Sequence, residues 1–174
     1  MILETKRLIL REYTPDDFAA LHAIFSDTET MRHYPAPFTE EMTRAWIDRN
    51  LHRYREHGFG LWAVTLRDTG EVIGDCGLTL QMIDGEQLPE IGYHIRRDHQ
   101  RRGYATEAAR AVRDWAFTRT GYDCLYSYMK YTNEGSQRTA MANGMTKWKE
   151  YEDPVNTVSC CYRIARAEWE ALKV

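Results

Sequence analysis

One six-residue segment, Gln100-Arg101-Arg102-Gly103-Tyr104-Ala105, constrains the fold of this chain more than any other. It follows a strand-like run, Glu90-Ile91-Gly92-Tyr93-His94-Ile95, and leads straight into a helical pattern. A tight loop between strand and helix aims backbone N–H groups and the positive end of a helix at one point, a geometry that binds phosphate. Gly103 allows a backbone approach that a side chain would block. Charge is concentrated here too. Arg96 to Arg102 holds four arginines, one histidine and a single acid, Asp98, in a chain of net charge −3. That pattern predicts a small polyanionic ligand and argues against nucleic acid, which needs a wider basic face. The stricter phosphate motifs, G-x-x-x-x-G-K-[ST] and G-x-G-x-x-G after a strand, are absent. Taken alone, the loop also fits an ordinary turn with solvated arginines.

The segments around the loop supply a scaffold. Arg7–Arg11 reads as a strand, and Thr14-Pro15-Asp16-Asp17 starts a helix with a capping hydroxyl, a first-turn proline and acids. Phe18, Leu21, Ile24 and Phe25 give that helix its apolar stripe. A second helix is expected from Thr39 to Gly58, with Trp46, Ile47, Leu51 and Tyr54 inward. Strands are expected over 61–66, 72–80 and 90–95, with turns at Asp68-Thr69-Gly70 and Asp84-Gly85. In the helix after the loop, Ala105, Ala108, Ala109, Val112, Trp115 and Ala116 share one face, and small residues let it lie close to a sheet. A strand at 124–131, a helix from Asn133 to Asn143 and two strands near 145–151 and 158–165 complete the order. The strand–helix–strand crossover at the loop predicts one parallel pair in an otherwise antiparallel sheet. The expected fold is α/β (α+β mixed), with about seven strands and four helices in a single domain over 1–174.

Composition excludes other classes. Apolar runs are short and interrupted, so no membrane span is expected. The N-terminus lacks a basic segment followed by an apolar stretch, so no signal peptide is expected. Cys76, Cys124, Cys160 and Cys161 form no Cys-x-x-Cys pair and read as reduced thiols, consistent with a cytoplasmic protein. The six histidines show no ligand spacing, so no metal is expected. Edge strands near the C-terminus leave monomer or homodimer open.

The loop, the Glu-Ile-Gly-Tyr strand, Ala105-Thr106-Glu107-Ala108 and the spacing from Asn133 through Ser136 to Asn143-Gly144-Met145 resemble the GNAT superfamily of N-acetyltransferases, in particular the ribosomal-protein-alanine branch. The resemblance implies acetyl-CoA as co-substrate, lying between the fourth and fifth strands, splayed apart to admit it. It implies that the backbone of Gln100, Arg101, Arg102, Gly103, Tyr104 and Ala105 holds the pyrophosphate, with Thr106 adding a hydroxyl. Backbone groups of His94 and Ile95 would pair with the amide arm and stabilise the oxyanion. Asn133 would contact the same arm; as a residue type it also suits a helix cap. Many relatives carry an acidic tyrosine seven residues after the asparagine; here Ala140 stands there, and Ser136 takes the matching role in the branch. For the amine proton, Glu90 is the first candidate base and His94 the second, four residues apart on one strand face. Glu107 reads as a partner of the helix dipole. Tyr34 and Phe38, in a proline-stiffened aromatic segment, and Trp62 are candidates for the acceptor cleft. The acceptor is expected to be a protein or peptide N-terminus. Alternatives are a small amine such as an antibiotic, polyamine or amino acid, or a CoA-binding module without turnover.

Overall fold

The computed structural model describes residues 1–173. Its strands are β1 (Leu3–Glu4), β2 (Leu8–Arg11), β3 (Leu61–Leu66), β4 (Val72–Ile83), β5 (Glu86–Ile95), β6 (Cys124–Lys130), β7 (Thr146–Asp153) and β8 (Thr157–Ala165). They form one mixed sheet in the order β1-β2-β3-β4-β5-β6-β8-β7. Its α-helices are α1 (Phe18–Phe25), α2 (Glu40–His57), α3 (Tyr104–Arg119), α4 (Glu134–Ala142) and α5 (Arg166–Ala171). The sheet therefore has eight strands rather than about seven, and there are five α-helices rather than four. Both additions, β1 and α5, are too short to carry a readable period: two residues show no alternation, and six make less than two helical turns.

Local chemistry accounts for the element boundaries. Thr39 Oγ1 accepts the Met42 N–H at 3.2 Å to open α2, and Gly58, at φ 76°, closes it with its N–H on Tyr54 O. The Thr14-Pro15 start makes a 3-10 turn, Pro15–Asp17, before α1 begins. Asp17 takes the Thr14 N–H at 2.7 Å and pairs with Arg11 through both carboxylate oxygens.

The antiparallel β4–β5 pair is long, running from Gly74↔Ile95 to Ile83↔Glu86. The parallel β5–β6 pair holds a single registered partner, Glu90↔Tyr126. Beyond it, Ser127 Oγ donates to Ile91 O at 2.8 Å, and the strands part. This split is the expected splay; the short β1 makes the parting strands the fifth and sixth. Alternation along β5 sends Glu90, Gly92 and His94 to one face of the sheet and Ile91, Tyr93 and Ile95 to the other. α3 packs on β4 and β5, and α4 on α3, β6 and β8. α1 packs on β4 and α2. Ala108, Ala109, Val112 and Ala116 of α3 are fully buried, as its small-residue face predicts.

Candidate functional site

The turn Arg97–His99 leads from β5 into the loop, and Gln100 Nε2 ties it back by donating to Ile95 O at 2.8 Å. Arg101 (φ 60°) and Gly103 (φ 80°) adopt left-handed backbone, which turns the chain sharply into α3. No side chain caps α3. First-turn amides have no intrahelical acceptor, so those of Tyr104, Ala105 and Thr106 remain available to an anion. A clasp lies beneath the loop. Glu107 accepts from Thr5 Oγ1 (2.6 Å), the Arg7 N–H (2.9 Å) and Arg7 Nε (2.6 Å). Arg7 Nη1 donates to Arg102 O at 2.9 Å, and its guanidinium lies 4.3 Å over the Tyr104 ring. Burial pushes the Glu107 carboxyl up, but the Thr5 and Arg7 hydrogen bonds outweigh it and leave it below the usual range.

The arginines do not converge as the sequence pattern suggested. Arg96 pairs with Asp98 and Glu71. Arg97 faces Asp27 at 4.0 Å, and Arg102 turns its carbonyl to Arg7. Of the loop residues, Gln100, Arg101, Gly103, Tyr104, Ala105 and Thr106 line the adjoining cleft, and Arg102 does not.

That cleft has a volume of about 1030 Å³ and follows the β5–β6 split. On its α4 side, Asn133 Oδ1 caps the helix by accepting the Ser136 N–H at 3.1 Å. Ser136 Oγ lies 2.9 Å from the Tyr93 hydroxyl, which donates to Ser136 O, also at 2.9 Å. Burial pushes the Tyr93 phenol well above its ordinary value, so it stays protonated at neutral pH. A phenol from β5 thus lies against Ser136, one helical turn before Ala140. The alternation of β5 was the only sequence signal for it.

Backbone direction along β5 corrects one expectation. Arg96 N–H bonds Ile73 O at 2.7 Å, in continuous register with Asp75↔His94. Hydrogen-bonded pairs alternate in an antiparallel ladder, so the backbone groups of His94 face Asp75 on β4. The groups turned toward the split belong to Ile91, Tyr93 and Ile95. His94 therefore offers the cleft its side chain, not its amide.

The other face of β4–β5 carries two polar cross-strand pairs, Thr79↔Glu90 and Asp75↔His94, with Gly77↔Gly92 between them. Thr79 Oγ1 donates to Glu90 Oε2 at 3.1 Å. Burial pushes the Glu90 carboxyl up to about 7, against the pull of Thr79, His94 and Arg53. A Cβ at Gly92 would meet Glu90 Oε2 at 3.0 Å, so this glycine keeps the floor open beside the carboxylate. Asp75 is fully buried and meets three groups: Tyr13 Oη at 2.6 Å, Trp46 Nε1 at 3.1 Å and His94 Nδ1 at 2.7 Å. Rings of Tyr34, Phe25 and Trp46 surround the His94 imidazole, with centroids 5.1, 5.2 and 5.8 Å away. His94 Nε2 is buried and has no hydrogen-bond partner among the described residues.

The three acceptor-cleft candidates separate. Tyr34 lines the cleft. Phe38 is packed behind it against Phe25 and Trp46, at 5.3 and 5.6 Å. Trp62 is fully buried on the α3 side, edge-on to Trp115 at 4.9 Å. Strand alternation is the reason: Leu61, one residue earlier, takes the cleft-facing position. Sequence reasoning missed Asp75, Tyr13 and Trp46 as site residues. The available hint was Asp75 itself, a charge inside the apolar run Val72-Ile73-Gly74-Asp75-Cys76-Gly77-Leu78.

A mixed sheet split at its one parallel pair, with an uncapped helix start at one end of the split and buried proton acceptors beside it, defines a group transferase for a phosphate-bearing co-substrate. The family model described as Acetyltransferase (GNAT) domain matches residues 7–146. The N-acetyltransferase YoaA of Bacillus subtilis is 34% identical over 148 residues, covering 84% of this chain and 83% of its own. An acetyltransferase structure from Agrobacterium tumefaciens superposes with a TM-score of 0.80 at 30% identity, covering 93% of this chain and 92% of that one. The ribosomal L7/L12 α-N-protein acetyltransferase RimL, solved with coenzyme A, has a TM-score of 0.78 at 16% identity, covering 94% and 97%. The chain belongs to the GNAT family of acetyltransferases. It is an acetyl-CoA-dependent N-acetyltransferase by that membership, with a fold shared with ribosomal-protein acetyltransferases.

Proposed function

We propose that the chain acetylates the N-terminal amine of a protein or peptide, by direct attack of the amine. The observation that carries this reading is the juxtaposition at the split: the backbone groups of Tyr93 and the Ile95 amide, the hydroxyls of Tyr93 and Ser136 on one side, and the Glu90 carboxyl on the other. Acetyl-CoA supplies the activated acyl group. The residues fit it, since α3 opens without a side-chain cap and its first-turn amides await an anion. In this reading the loop 100–106 holds phosphate, and the Ile95 and Tyr93 amides orient the arm and stabilise charge on the carbonyl oxygen. Glu90, poised near neutrality, takes a proton from the incoming ammonium through water. Ser136, backed by Tyr93, donates a proton to the departing sulfur. Asn133 holds α4 in place as its cap.

A covalent route through cysteine has no support. No cysteine lines the cleft among the described residues, and burial pushes the Cys161 thiol up to about 12. A peptide-sized acceptor is favoured because the cleft opens between two hairpins, with Met82 and Asp84 on one side and Pro154 and Val155 on the other. The RimL protein, similar in fold, acts on a protein N-terminus by its name. The test is thiol release from acetyl-CoA with mass detection of product, using peptides with free N-termini beside polyamines, aminoglycosides and amino acids. Acetylation confined to the peptide α-amine is expected. Acetylation of the small amines alone would replace this acceptor by the small-molecule alternative.

A further inference from the structure

Acetylating an ammonium releases two protons from one nitrogen: one before attack, to free the lone pair, and one as the C–N bond forms and the C–S bond breaks. The sulfur takes up one proton and the solvent receives the other. Glu90 answers for the first in the reading above. We propose that His94 Nε2 accepts the second, and that Asp75 is the positioning residue that makes it able to. This rests on the acetyltransferase reading and adds a residue, Asp75, and a division of labour to it.

The donors around Asp75 fix which of its oxygens does what. Trp46 Nε1–H can only donate, so Asp75 Oδ2 is an acceptor. Burial and the nearby Asp75 carboxylate keep the Tyr13 phenol protonated, so it donates to the same oxygen. Oδ1 is then left to accept from His94 Nδ1–H at 2.7 Å. This fixes the neutral imidazole in one tautomer, with its lone pair at Nε2. That nitrogen is buried and has no partner among the described residues. A buried acceptor without a donor is unfavourable, and its place beside the split marks a position kept for a donor that arrives with the substrate. An amine N–H is such a donor. When the proton transfers, Asp75 lies on the far side of the ring to stabilise the imidazolium, and the rings of Phe25, Tyr34 and Trp46 hold its plane.

Position supports the assignment. The Tyr93 amide faces the split, and the side chains flanking it on the acceptor face are those of Gly92 and His94. Gly92 leaves a window and His94 one wall. The titratable and charged groups around the imidazole and its partner are Asp75 on β4, Tyr13 behind it, Tyr34 from the α1–α2 loop, Glu90 on β5 and, farther off, Arg53 on α2. The two phenols among them, Tyr13 and Tyr34, are held neutral near pH 7 chiefly by burial. Asp75 is the one of these groups hydrogen-bonded to the ring.

The experiment has two arms. Long-range 1H–15N spectra of the full chain, with the His94 signal assigned by its loss in His94→Gln, report the tautomer. We expect Nδ1–H with bare Nε2 in the wild type, and loss of that tautomer's dominance in Asp75→Asn. Kinetics with acetyl-CoA use three acceptors: a hexapeptide with a free N-terminal alanine, spermidine and kanamycin. His94→Gln and Asp75→Asn should each lower kcat on the order of 100-fold, while the dissociation constant for CoA stays in place. Tyr13→Phe removes one donor to Asp75 and should give a smaller loss, about threefold to tenfold, keeping the test open should Asp75→Asn fail to fold. An Nε2–H tautomer in the wild type, or His94→Gln turning over at the wild-type rate, overturns the proposal alone. A wild-type chain that binds CoA and acetylates none of the three amines overturns the transferase reading and, with it, the role given to the dyad.

Discussion

The two sides of the cleft are built in opposite ways. The co-substrate side is made of backbone groups from short contiguous stretches: residues 100–106, with a left-handed Arg101 and Gly103, and the α4 start at Asn133–Ser136. The acceptor side is made of side chains from segments far apart in sequence: Tyr13, Tyr34, Trp46, Asp75, Glu90 and His94. A ligand held by amides needs a particular chain path, which a few adjacent residues specify. Proton handling needs particular pKa values, which burial and partners set. The first kind of site tolerates side-chain change away from its glycine and clasp; the second fails when one partner is removed.

The sharpest break in this contrast is Glu90→Gln. It should lower kcat by about 10²- to 10⁴-fold with CoA binding unchanged, measured by steady-state kinetics and calorimetry. In the wild type, kcat/KM should rise as pH passes through about 7, where Glu90 gives up its proton. The same variant tests the burial directly. A carboxyl raised from 4.5 to about 7 stabilises the fold fully below pH 4.5, and that contribution is lost as pH rises through about 7. At pH 8, Glu90→Gln should therefore be the more stable protein, by up to about 3 kcal/mol, with the difference vanishing near pH 4 in urea titrations.

On the opposite side, Gly103→Val should weaken CoA binding by about 100-fold or more, because a β-branched residue resists φ 80° and its side chain crowds Arg7. A variant that keeps CoA affinity would show that the loop path is not what holds phosphate. Glu107→Ala is expected to act in the same direction but less, about tenfold in CoA affinity, since it opens the clasp without touching the ligand. Smallest at the site is Trp62→Phe. It should cost about 1–3 kcal/mol of stability by undersizing the α3-side core and leave acceptor KM unchanged. A raised acceptor KM would return Trp62 to the cleft.

The degree to which each side was legible follows the same division. Thr39 and Gly58 announced α2 because capping is a one-residue chemistry, and the strand 61–66 was readable from its β-branched and aromatic run. Glu90 and His94 were recognisable as one face because a strand alternates with period two. Asp75 was not, since its importance lies in a partner nineteen residues away in sequence and directly opposite in register. Phe38 and Trp62 looked like cleft residues by type. Which side of the sheet an aromatic ring fills depends on strand phase and on what packs there, here Trp115 of α3 against Trp62.

Local preferences thus determined what the sequence alone can: the order of the main elements, the loop and its left-handed glycine, the caps at Thr39 and Asn133, and the parallel crossover. These are set by residues within a few positions of one another, where sterics and hydrogen bonding act without the rest of the chain. Tertiary structure alone decided the rest. Packing α1 and α2 over the β4–β5 pair buried Glu90 and raised its carboxyl, and cross-strand register set Asp75 against His94. Strand alternation turned the His94 amide away from the split and the Tyr93 phenol onto Ser136. Desolvation and register are properties of assembled neighbours, so no single segment encodes them.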